Sequence, residues 1–263
     1  MKVAGPIRSV NEFFEHTASV HGERIALQFG TDGVSYSALK EQAERLAILI
    51  SPMVSGEDRT VGICLERSPD LIKSVLGILR AGAAYVPIDP TYPSERIALM
   101  LEDAAPPVVI TDRAHAHLFA GSKAKVLLIE ELALDNAAAS NKMELRETDP
   151  DDLCYVLFTS GSTGRPKGVA MHHAPLINLI KWQLRTSVLN EGAKTLQFAP
   201  ISFDVSFQEL FTTFAQGGTL VLITDEDRLN SSQLLRKIIA EGINRIIVPF
   251  VALQYLAEAV QRT

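Results

Sequence analysis

The chain has 263 residues, of which 47% are apolar and 21% are charged. This composition is typical of a globular protein, and it excludes intrinsic disorder, collagen-like repeats and a small disulfide-stapled fold. With 25 basic and 31 acidic residues, the formal net charge is −6. This charge argues against a general binder of nucleic acids or of anionic membranes, since both need a basic face.

The sequence also disfavours membrane insertion and disulfide chemistry. The longest apolar run, residues 246–253, contains Pro249 and is far shorter than the ~20 residues that a membrane span needs. The two cysteines, Cys64 and Cys154, lie inside apolar runs and outside any metal-ligand spacing. Such cysteines are typical of small buried residues in a reducing compartment. We therefore expect a cytoplasmic protein without nucleic-acid or membrane partners.

Short runs of β-branched residues alternate along the chain with stretches of helical period. Ser68, Pro69 and Asp70 predict a helix start, because they supply an N-cap, a proline at the first helical position and an acid in the first turn. In chain order, the predicted elements are a strand at 60–64, a helix at 69–79, a strand at 85–87, a helix at 94–104, strands at 108–111, 125–129 and 153–159, a helix at 174–186, a strand at 195–198, a helix at 206–215, a strand at 219–224, a helix at 231–241, a strand at 245–248 and a helix at 251–262.

The arrangement of these elements predicts the fold class. The strands are apolar throughout and helix-length segments separate them, which indicates a mostly parallel sheet covered on both faces. The fold class is therefore α/β. The alanine- and acid-rich stretch 135–152 is interpreted as a surface loop. No element follows the last predicted helix, so we expect the sheet to be incomplete at the C-terminus.

The strongest chemical signal is the segment 159–168, which directly follows a predicted strand. It reads Thr-Ser-Gly-Ser-Thr-Gly-Arg-Pro-Lys-Gly. Glycines let the backbone approach an anion, hydroxyl groups add donors, and Lys167 adds charge. The pattern is not the GxxxxGK[ST] loop of NTPases, because Gly-Ser-Thr-Gly here precedes Arg-Pro-Lys. The segment predicts a phosphate-binding loop, and a flexible polar loop joining two strands is the alternative.

Four segments together resemble one enzyme superfamily. Residues 158–168 resemble the AMP-binding signature of adenylate-forming enzymes, which include acyl-CoA synthetases, luciferases and the adenylation domains of nonribosomal peptide synthetases. Residues 79–90, followed by 92–96, resemble the second core motif of the peptide-synthetase group. Residues 203–206 resemble the fourth motif, and residues 34–39 resemble the first, with Val and Ala in place of the usual Leu and Glu.

The resemblance implies a layered αβαβα fold with mostly parallel sheets, of which this chain is the N-terminal portion. It further implies two subdomains that do not follow chain order. Residues 57–185 would form the unit that carries the phosphate loop. Residues 1–52 would combine with 190–263 in a second, incomplete unit that carries the substrate residues.

The resemblance also implies a two-step reaction that uses ATP and Mg²⁺. An amino-acid carboxylate attacks the α-phosphate of ATP and gives an aminoacyl-adenylate and pyrophosphate, and the acyl group then passes to the phosphopantetheine thiol of a carrier protein. Thr159 and Lys167 are the implied catalytic residues, since such work is positioning and charge stabilisation. The implied nucleotide-binding residues are Thr159, Ser160, Gly161, Ser162, Thr163, Gly164, Lys167 and Gly168.

Asp204 is the most informative residue outside the phosphate loop. At the start of a predicted helix, an acid can serve simply as an N-cap or as a first-turn partner of the helix dipole. The resemblance implies a different role, in which the carboxylate of Asp204 binds the α-ammonium group of an amino-acid substrate. A fatty acid has no ammonium group to pair, so this role favours amino acids as substrates.

Three more residues are implied to line the side-chain pocket of the substrate, namely Val205, Gln208 and Ile247. Val205 and Ile247 could instead be core residues, and Gln208 could lie on a solvated helix face. If all three line the pocket, it holds no charge for an acidic or basic side chain. The combination Asp, Val and Gln resembles the pattern of proline-activating domains, with another small or aliphatic amino acid as the second choice.

Two residues beside these positions carry weaker expectations. Trp182 falls on the apolar stripe of a predicted helix, so it is expected to pack rather than to bind a ligand. Glu209 is adjacent to the implied substrate residues, but it fits a solvated helix face equally well and is not assigned to the site.

The family's later motifs are not matched in this sequence. The Mg²⁺-binding acid, the ribose-binding aspartate and the small C-terminal domain with its catalytic lysine are expected in a missing C-terminal half. The isolated chain is therefore expected to be inactive or weakly active. Two alternatives remain: a truncated module that binds ATP or a partner without turnover, and an aryl- or acyl-acid ligase of the same superfamily. Asp204 and the motif at 85–90 speak against the second alternative.

Overall fold

The structure is a computed structural model, and it describes residues 7–54, 59–132, 145–160 and 164–261. The strands are β1 (Ile25–Phe29), β2 (Asp32–Ser35), β3 (Thr60–Cys64), β4 (Ala84–Pro87), β5 (Val108–Thr111), β6 (Lys125–Leu128), β7 (Leu153–Ser160), β8 (Pro166–His172), β9 (Lys194–Gln197) and β10 (Thr219–Leu222). The helices are α1 (Asn11–Val20), α2 (Tyr36–Ile50), α3 (Pro69–Arg80), α4 (Ser94–Ala104), α5 (His173–Thr186), α6 (Asp204–Ala215), α7 (Asp225–Leu229), α8 (Ser231–Ala240) and α9 (Phe250–Gln261).

The larger sheet has six strands in the order β6-β5-β3-β4-β7-β8. All neighbours are parallel except β7 and β8, which form an antiparallel pair at one edge. The sequence explains the parallel centre, because β3, β4 and β5 are buried along their whole length. The predicted start of α3 is confirmed, since the Ser68 hydroxyl accepts the Leu71 N–H.

The smaller sheet has four strands in the order β2-β1-β10-β9. β1, β10 and β9 are parallel, and β2 adds an antiparallel edge strand. This sheet joins an early part of the chain, residues 25–35, to a late part, residues 194–222. Strand pairing therefore brings together segments that are far apart in sequence.

Helices fill the space between the sheets and cover both outer faces. Helices α1, α2, α3 and α6 share one continuous apolar core with both sheets. Helix α4 covers the outer face of the larger sheet, and α8 and α9 cover that of the smaller one. Gly77 of α3 allows the central helices to approach closely, because a Cβ atom there would lie 2.8 Å from the Leu46 side chain of α2. The layers run αβαβα, so the predicted α/β fold class is confirmed.

The observed elements depart from the predicted ones at several places. β8 is a strand that the sequence pattern does not predict. The predicted strand at 245–248 is wrong, since this segment makes only a single bridge, between Arg245 and Thr195 of β9. The segment runs into Pro249, which has no N–H to donate to a neighbouring strand. Of the predicted surface loop at 135–152, residues 135–144 lie outside the described residues.

The packing role expected for Trp182 is also wrong, because 59% of its surface is exposed. It lies beside, not on, the inward stripe of α5 formed by Leu176, Ile177 and Ile180. Among the described residues, no helix combines the length and the apolarity that crossing a bilayer requires.

Candidate functional site

The hairpin of β7 and β8 carries the described part of the predicted phosphate loop. Thr159 and Ser160 end β7, whereas Lys167 and Gly168 lie in β8. Thr159 pairs with Lys167 across the hairpin. Side chains of directly paired residues project from the same face of a sheet, so a hydroxyl and an ammonium group share one exposed face here. Of the other predicted phosphate-binding residues, Gly161, Ser162 and Thr163 lie outside the described residues.

Two glycines of this hairpin meet specific backbone requirements. Gly164 has a φ of +79°, a left-handed conformation that side chains disfavour. At Gly168, a Cβ atom would lie 3.1 Å from Val156 and 3.4 Å from the Phe158 ring. The hairpin is tied to α4 by an ion pair in which the Arg165 guanidinium lies 2.7 Å from the Glu102 carboxylate. The glycines therefore allow the chain to turn tightly and leave the donor side chains exposed.

Asp204 is the first residue of α6, and its side chain is exposed. The N-cap of α6 is Phe203, and no side chain caps this end. The carboxylate of Asp204 has no hydrogen-bond or ion-pair partner in the described part of the chain. The alternative role of an N-cap therefore does not apply, although an acid in the first turn still favours the helix dipole. The carboxylate is free to bind a cation from outside the chain.

Asp204 lies close to β7 of the larger sheet. The Phe207 ring of α6 packs on the Tyr155 ring, with 5.9 Å between the ring centroids. Burial, followed by Cys154 and the negative charge of Asp204, raises the pKa of Tyr155 to about 12. Because Thr159 lies further along the same strand, the start of α6 and the hairpin of β7 and β8 belong to one region of the molecule.

The segment that leads into Asp204 is fixed by hydrogen bonds within it. The Phe203 N–H donates to the Pro200 carbonyl at 2.9 Å, and the Ser206 hydroxyl donates to the Phe203 carbonyl at 2.6 Å. Ser206 is buried, so its hydroxyl bonds to the Phe203 carbonyl rather than facing water. The serine of the Phe-Asp-Val-Ser motif therefore holds the turn from which Asp204 projects.

Glu209 is the main residue of this region that sequence reasoning misses. The sequence allows a solvated helix position for it, but its exposed fraction is 0%. Its carboxylate accepts the Phe198 N–H at 3.1 Å and the Ala199 N–H at 3.1 and 3.2 Å to its two oxygens. These residues begin the segment that leads to Asp204. The sequence gives little signal for this burial, because α6 mixes polar and apolar residues along its length.

Two partly buried arginines, Arg67 and Arg245, flank Glu209. The Arg67 guanidinium donates to the carbonyls of Phe198 at 3.2 Å and Ile223 at 3.3 Å, and it forms an ion pair with Asp225 at 3.2 Å. Arg245 donates to the hydroxyl groups of Thr195 in β9 and Thr213 in α6, and to the amide oxygen of Gln216 at the C-terminal end of α6, each at 3.0 Å. Burial lowers the pKa of both guanidinium groups, and the charge of Glu209 opposes this. Phe198 is thus held at its N–H and at its carbonyl.

The three predicted pocket residues are all half-buried. Val205 and Gln208 lie on α6, and Gln208 is one helical turn beyond Asp204. The Gln208 amide oxygen accepts a hydrogen bond from Gln183 of α5 at 2.7 Å. Ile247 lies beyond the Arg245 bridge, in a segment that runs parallel to β9 and so towards the same sheet edge as residues 198–203. The structure brings Val205 and Gln208 beside Asp204 on α6, whereas Ile247 lies on the separate segment that follows the Arg245 bridge.

The described residues do not form a metal centre of their own. Within residues 7–54, 59–132, 145–160 and 164–261, no group of three or more histidine, cysteine, aspartate or glutamate side chains is placed to hold a metal ion.

Comparisons with known proteins give consistent matches. The model of a family described as "AMP-binding enzyme" matches residues 14–262. The chain is 39% identical over 234 residues to a linear gramicidin synthase of Brevibacillus parabrevis, covering 89% of this chain and 5% of that protein. It is 37% identical over 221 residues to the AMB antimetabolite synthetase AmbB of Pseudomonas aeruginosa, covering 84% of this chain and 18% of that protein.

Two solved structures share the fold. The AMPPNP-bound form of the nonribosomal peptide synthetase FmoA3 superposes with a TM-score of 0.88 at 25% identity, covering 99% of this chain and 28% of that one. The N-terminal subdomain of Klebsiella oxytoca NpsA, in complex with 3-hydroxyanthranilyl-AMSN, gives a TM-score of 0.79 at 26% identity, covering 92% and 60%. The chain thus spans a small part of the curated relatives and a fraction of the solved chains.

The buried carboxyl of Glu209 predicts a specific pH dependence of stability. Burial raises its pKa to about 8, against an ordinary value of 4.5. Between these values the folded protein holds a proton that the unfolded chain has released, so the free energy of unfolding falls as the pH rises. His173, whose pKa burial lowers to about 4, acts in the opposite direction only below its ordinary value of 6.5.

Between pH 6.5 and 8, we expect the free energy of unfolding to fall by about 1–2 kcal/mol because of Glu209. Denaturant unfolding at both pH values measures this change. Glu209→Gln should remove it, since the amide does not titrate, whereas Glu23→Gln at an exposed position should leave it intact. An equal pH dependence in all three proteins would contradict the assignment.

Proposed function

The chain belongs to the AMP-binding enzyme family, as the N-terminal portion of an adenylation domain of the nonribosomal peptide synthetase type, and we propose that it binds ATP and an amino acid for adenylation. The amino-acid carboxylate attacks the α-phosphate of ATP, the bond to the β,γ-pyrophosphate breaks, and an aminoacyl-adenylate forms. The acyl group then passes to the phosphopantetheine thiol of a carrier protein, with AMP as the leaving group. The observation that carries the choice of amino acids is the free carboxylate of Asp204.

The hairpin of β7 and β8 supplies the phosphate-binding part of this proposal. The Thr159 hydroxyl and the Lys167 ammonium share one exposed face, which suits the oxygens of a triphosphate. Ser160, Gly161, Ser162, Thr163, Gly164 and Gly168 complete the proposed nucleotide-binding residues. Lys167 neutralises negative charge that develops on the departing pyrophosphate, and Thr159 orients the phosphates beside it.

Mg²⁺ is also part of the proposal, and it supplies charge neutralisation at the triphosphate when bound. We place its carboxylate ligand in the segment that the longer relatives carry beyond this match. The residues of this chain bind and orient the two substrates, and a C-terminal half of the kind that the longer relatives carry completes the proposed site. The carrier protein, the amino acid and such a C-terminal half are therefore the proposed partners.

The substrate end of the site is built on α6. Asp204 pairs with the α-ammonium group of the amino acid, which is a charge-assisted contact. Val205, Gln208 and Ile247 form the side-chain wall, and all three are uncharged and half-buried. A neutral pocket of this kind suits a small or aliphatic side chain, and we propose proline first. The contacts of Ser206 and Glu209 with the segment before α6 support a fixed position for Asp204.

The proposed division into two subdomains is supported by the strand pairing. Strands β3 to β8 lie within residues 57–185 and pair only with one another. Strands β1, β2, β9 and β10 lie within 1–52 and 190–263 and form the second sheet. On this division, the phosphate hairpin belongs to the first subdomain and Asp204 to the second, so the two substrates meet between them.

The test of the function is amino-acid-dependent exchange of pyrophosphate into ATP. We expect exchange in the complete gene product with proline or another small aliphatic amino acid, and weak or absent exchange in the isolated 263-residue chain. The panel includes 3-hydroxyanthranilate and a fatty acid. Exchange with either of these acids, but with no amino acid, would contradict the proposal, and a protein that binds ATP without any exchange would be a non-catalytic module.

Removing the charge of Asp204 should impair amino-acid activation selectively. In Asp204→Asn the side chain keeps its size but cannot form the charged contact, so we expect kcat/KM for the amino acid to fall about 10- to 100-fold. The affinity for ATP should stay within about twofold of the unmodified protein. Exchange kinetics and ATP binding by calorimetry measure the two effects. Asp32→Asn, at the exposed first position of β2, is the matched control, and equal losses in both variants would refute the role.

Removing the charge of Lys167 should slow adenylation. We expect Lys167→Ala to lower kcat for exchange by about 10²-fold, because the charge of the leaving pyrophosphate loses a stabilising partner. Lys123→Ala removes an exposed lysine elsewhere in the first subdomain, residues 57–185, and should leave kcat unchanged. Exchange rates at saturating ATP and amino acid measure the change. An unaltered kcat in Lys167→Ala would remove this residue from the phosphate site.

A further inference from the structure

Helix α5 carries a polar residue where its pattern calls for an apolar one. The inward stripe of α5 includes Leu176, Ile177 and Ile180, all of them buried. Gln183 follows three residues after Ile180 and seven after Leu176, so it continues the same stripe. An amide at such a position costs free energy unless it is hydrogen-bonded. The hydrogen-bond partners of Gln183 are therefore the first clue to its role.

The Gln183 side chain is hydrogen-bonded at both of its polar atoms. Its Nε2 group donates to the Gln208 Oε1 atom at 2.7 Å, and its Oε1 atom accepts the hydroxyl of Thr212. Thr212 is 1% exposed, so this end of the contact is anchored in the core. We call these three residues the Gln183 relay. The relay holds the amide head of Gln208 against α5.

Two residues of the Gln183 relay lie on the same face of α6 as Asp204. Asp204, Gln208 and Thr212 are spaced four residues apart, so they follow one face of α6. Their exposure decreases along this line, from exposed Asp204 through half-buried Gln208 to buried Thr212. In the described residues, Gln208 has Gln183 as its hydrogen-bond partner. The hydrogen bond from Gln183 therefore holds the Gln208 amide in its position one helical turn from Asp204.

We propose that Gln183 is a specificity-determining residue that acts through Gln208. The inference rests on the proposed function, because it assumes that Gln208 faces the side chain of the amino acid. A pocket wall held in one rotamer has one shape, whereas an unrestrained glutamine adopts several. Loss of the relay should therefore let additional amino-acid side chains fit, without changing the contact of Asp204 with the ammonium group that every amino acid carries.

A role confined to packing predicts a different result. If the relay served only to join α5 to α6, its loss would lower stability and reduce activity with all amino acids by the same factor. The discriminating quantity is therefore the selectivity ratio, which we define as kcat/KM for the preferred amino acid divided by kcat/KM for the next best one. A uniform loss of active protein cancels in this ratio.

The experiment measures this ratio by pyrophosphate exchange in the complete gene product, over a panel of small, aliphatic and aromatic amino acids. In Gln183→Leu, leucine continues the apolar stripe, so the fold is retained while the contact with Gln208 is lost. We expect the selectivity ratio to fall about fivefold or more, as for the loss of one hydrogen bond. Thr212→Val removes the anchor of the relay and should lower the ratio in the same direction. KM for ATP should stay unchanged in both variants.

Matched controls separate the relay from helix surface effects. Gln233→Leu replaces a half-buried glutamine of α8, and Thr186→Val replaces an exposed threonine of α5 whose hydroxyl bonds to its own helix. Both should keep the ratio of the unmodified protein. Unchanged ratios in Gln183→Leu and Thr212→Val would overturn the inference while leaving the proposed function intact. Absence of exchange with every amino acid in the unmodified protein would overturn both.

Discussion

The proposed substrate end of the molecule depends on one buried carboxylate, that of Glu209. Glu209 has no exposed surface and accepts the N–H groups of Phe198 and Ala199, where the chain leaves β9. Without an acceptor these donors would be buried and unsatisfied at the start of the segment that leads to Asp204. Burial raises the pKa of the same carboxyl to about 8, although the N–H groups and the two neighbouring arginines act against this shift. One residue thus couples the geometry of the proposed ammonium site to the stability of the fold.

Much of the fold was predictable from local chemistry. The strands at the centre of the larger sheet are continuous apolar runs, and α3 begins at a clear start signal, so these elements were confirmed almost to the residue. The resemblance to the adenylate-forming enzymes was confirmed by the family match. The segment 245–248 was predicted as a strand from its β-branched residues, but its pairing with β9 stops after a single bridge at Arg245, and a sequence does not show how far such pairing extends.

The candidate site was harder to predict because it depends on tertiary contacts. The motif pointed to Asp204, although a first-turn acid is equally suited to the helix dipole, and its role remains a prediction. Almost every residue of α6 is buried, so helical periodicity gave no reason to place Glu209 inside. Gln183 and Gln208 are 25 positions apart, and their contact exists only because α5 packs on α6. Gly161, Ser162 and Thr163 keep their predicted role on the sequence evidence alone.

Arg67 has a mechanical consequence for the molecule. It follows β3 of the six-stranded sheet, yet its guanidinium donates to carbonyls at the ends of β9 and β10 in the four-stranded sheet. Sliding one sheet past the other would break these bonds and leave a buried cation and buried carbonyls without partners. Arg67 therefore joins the two sheets at this point, and any relative motion of the sheets would have to break its contacts.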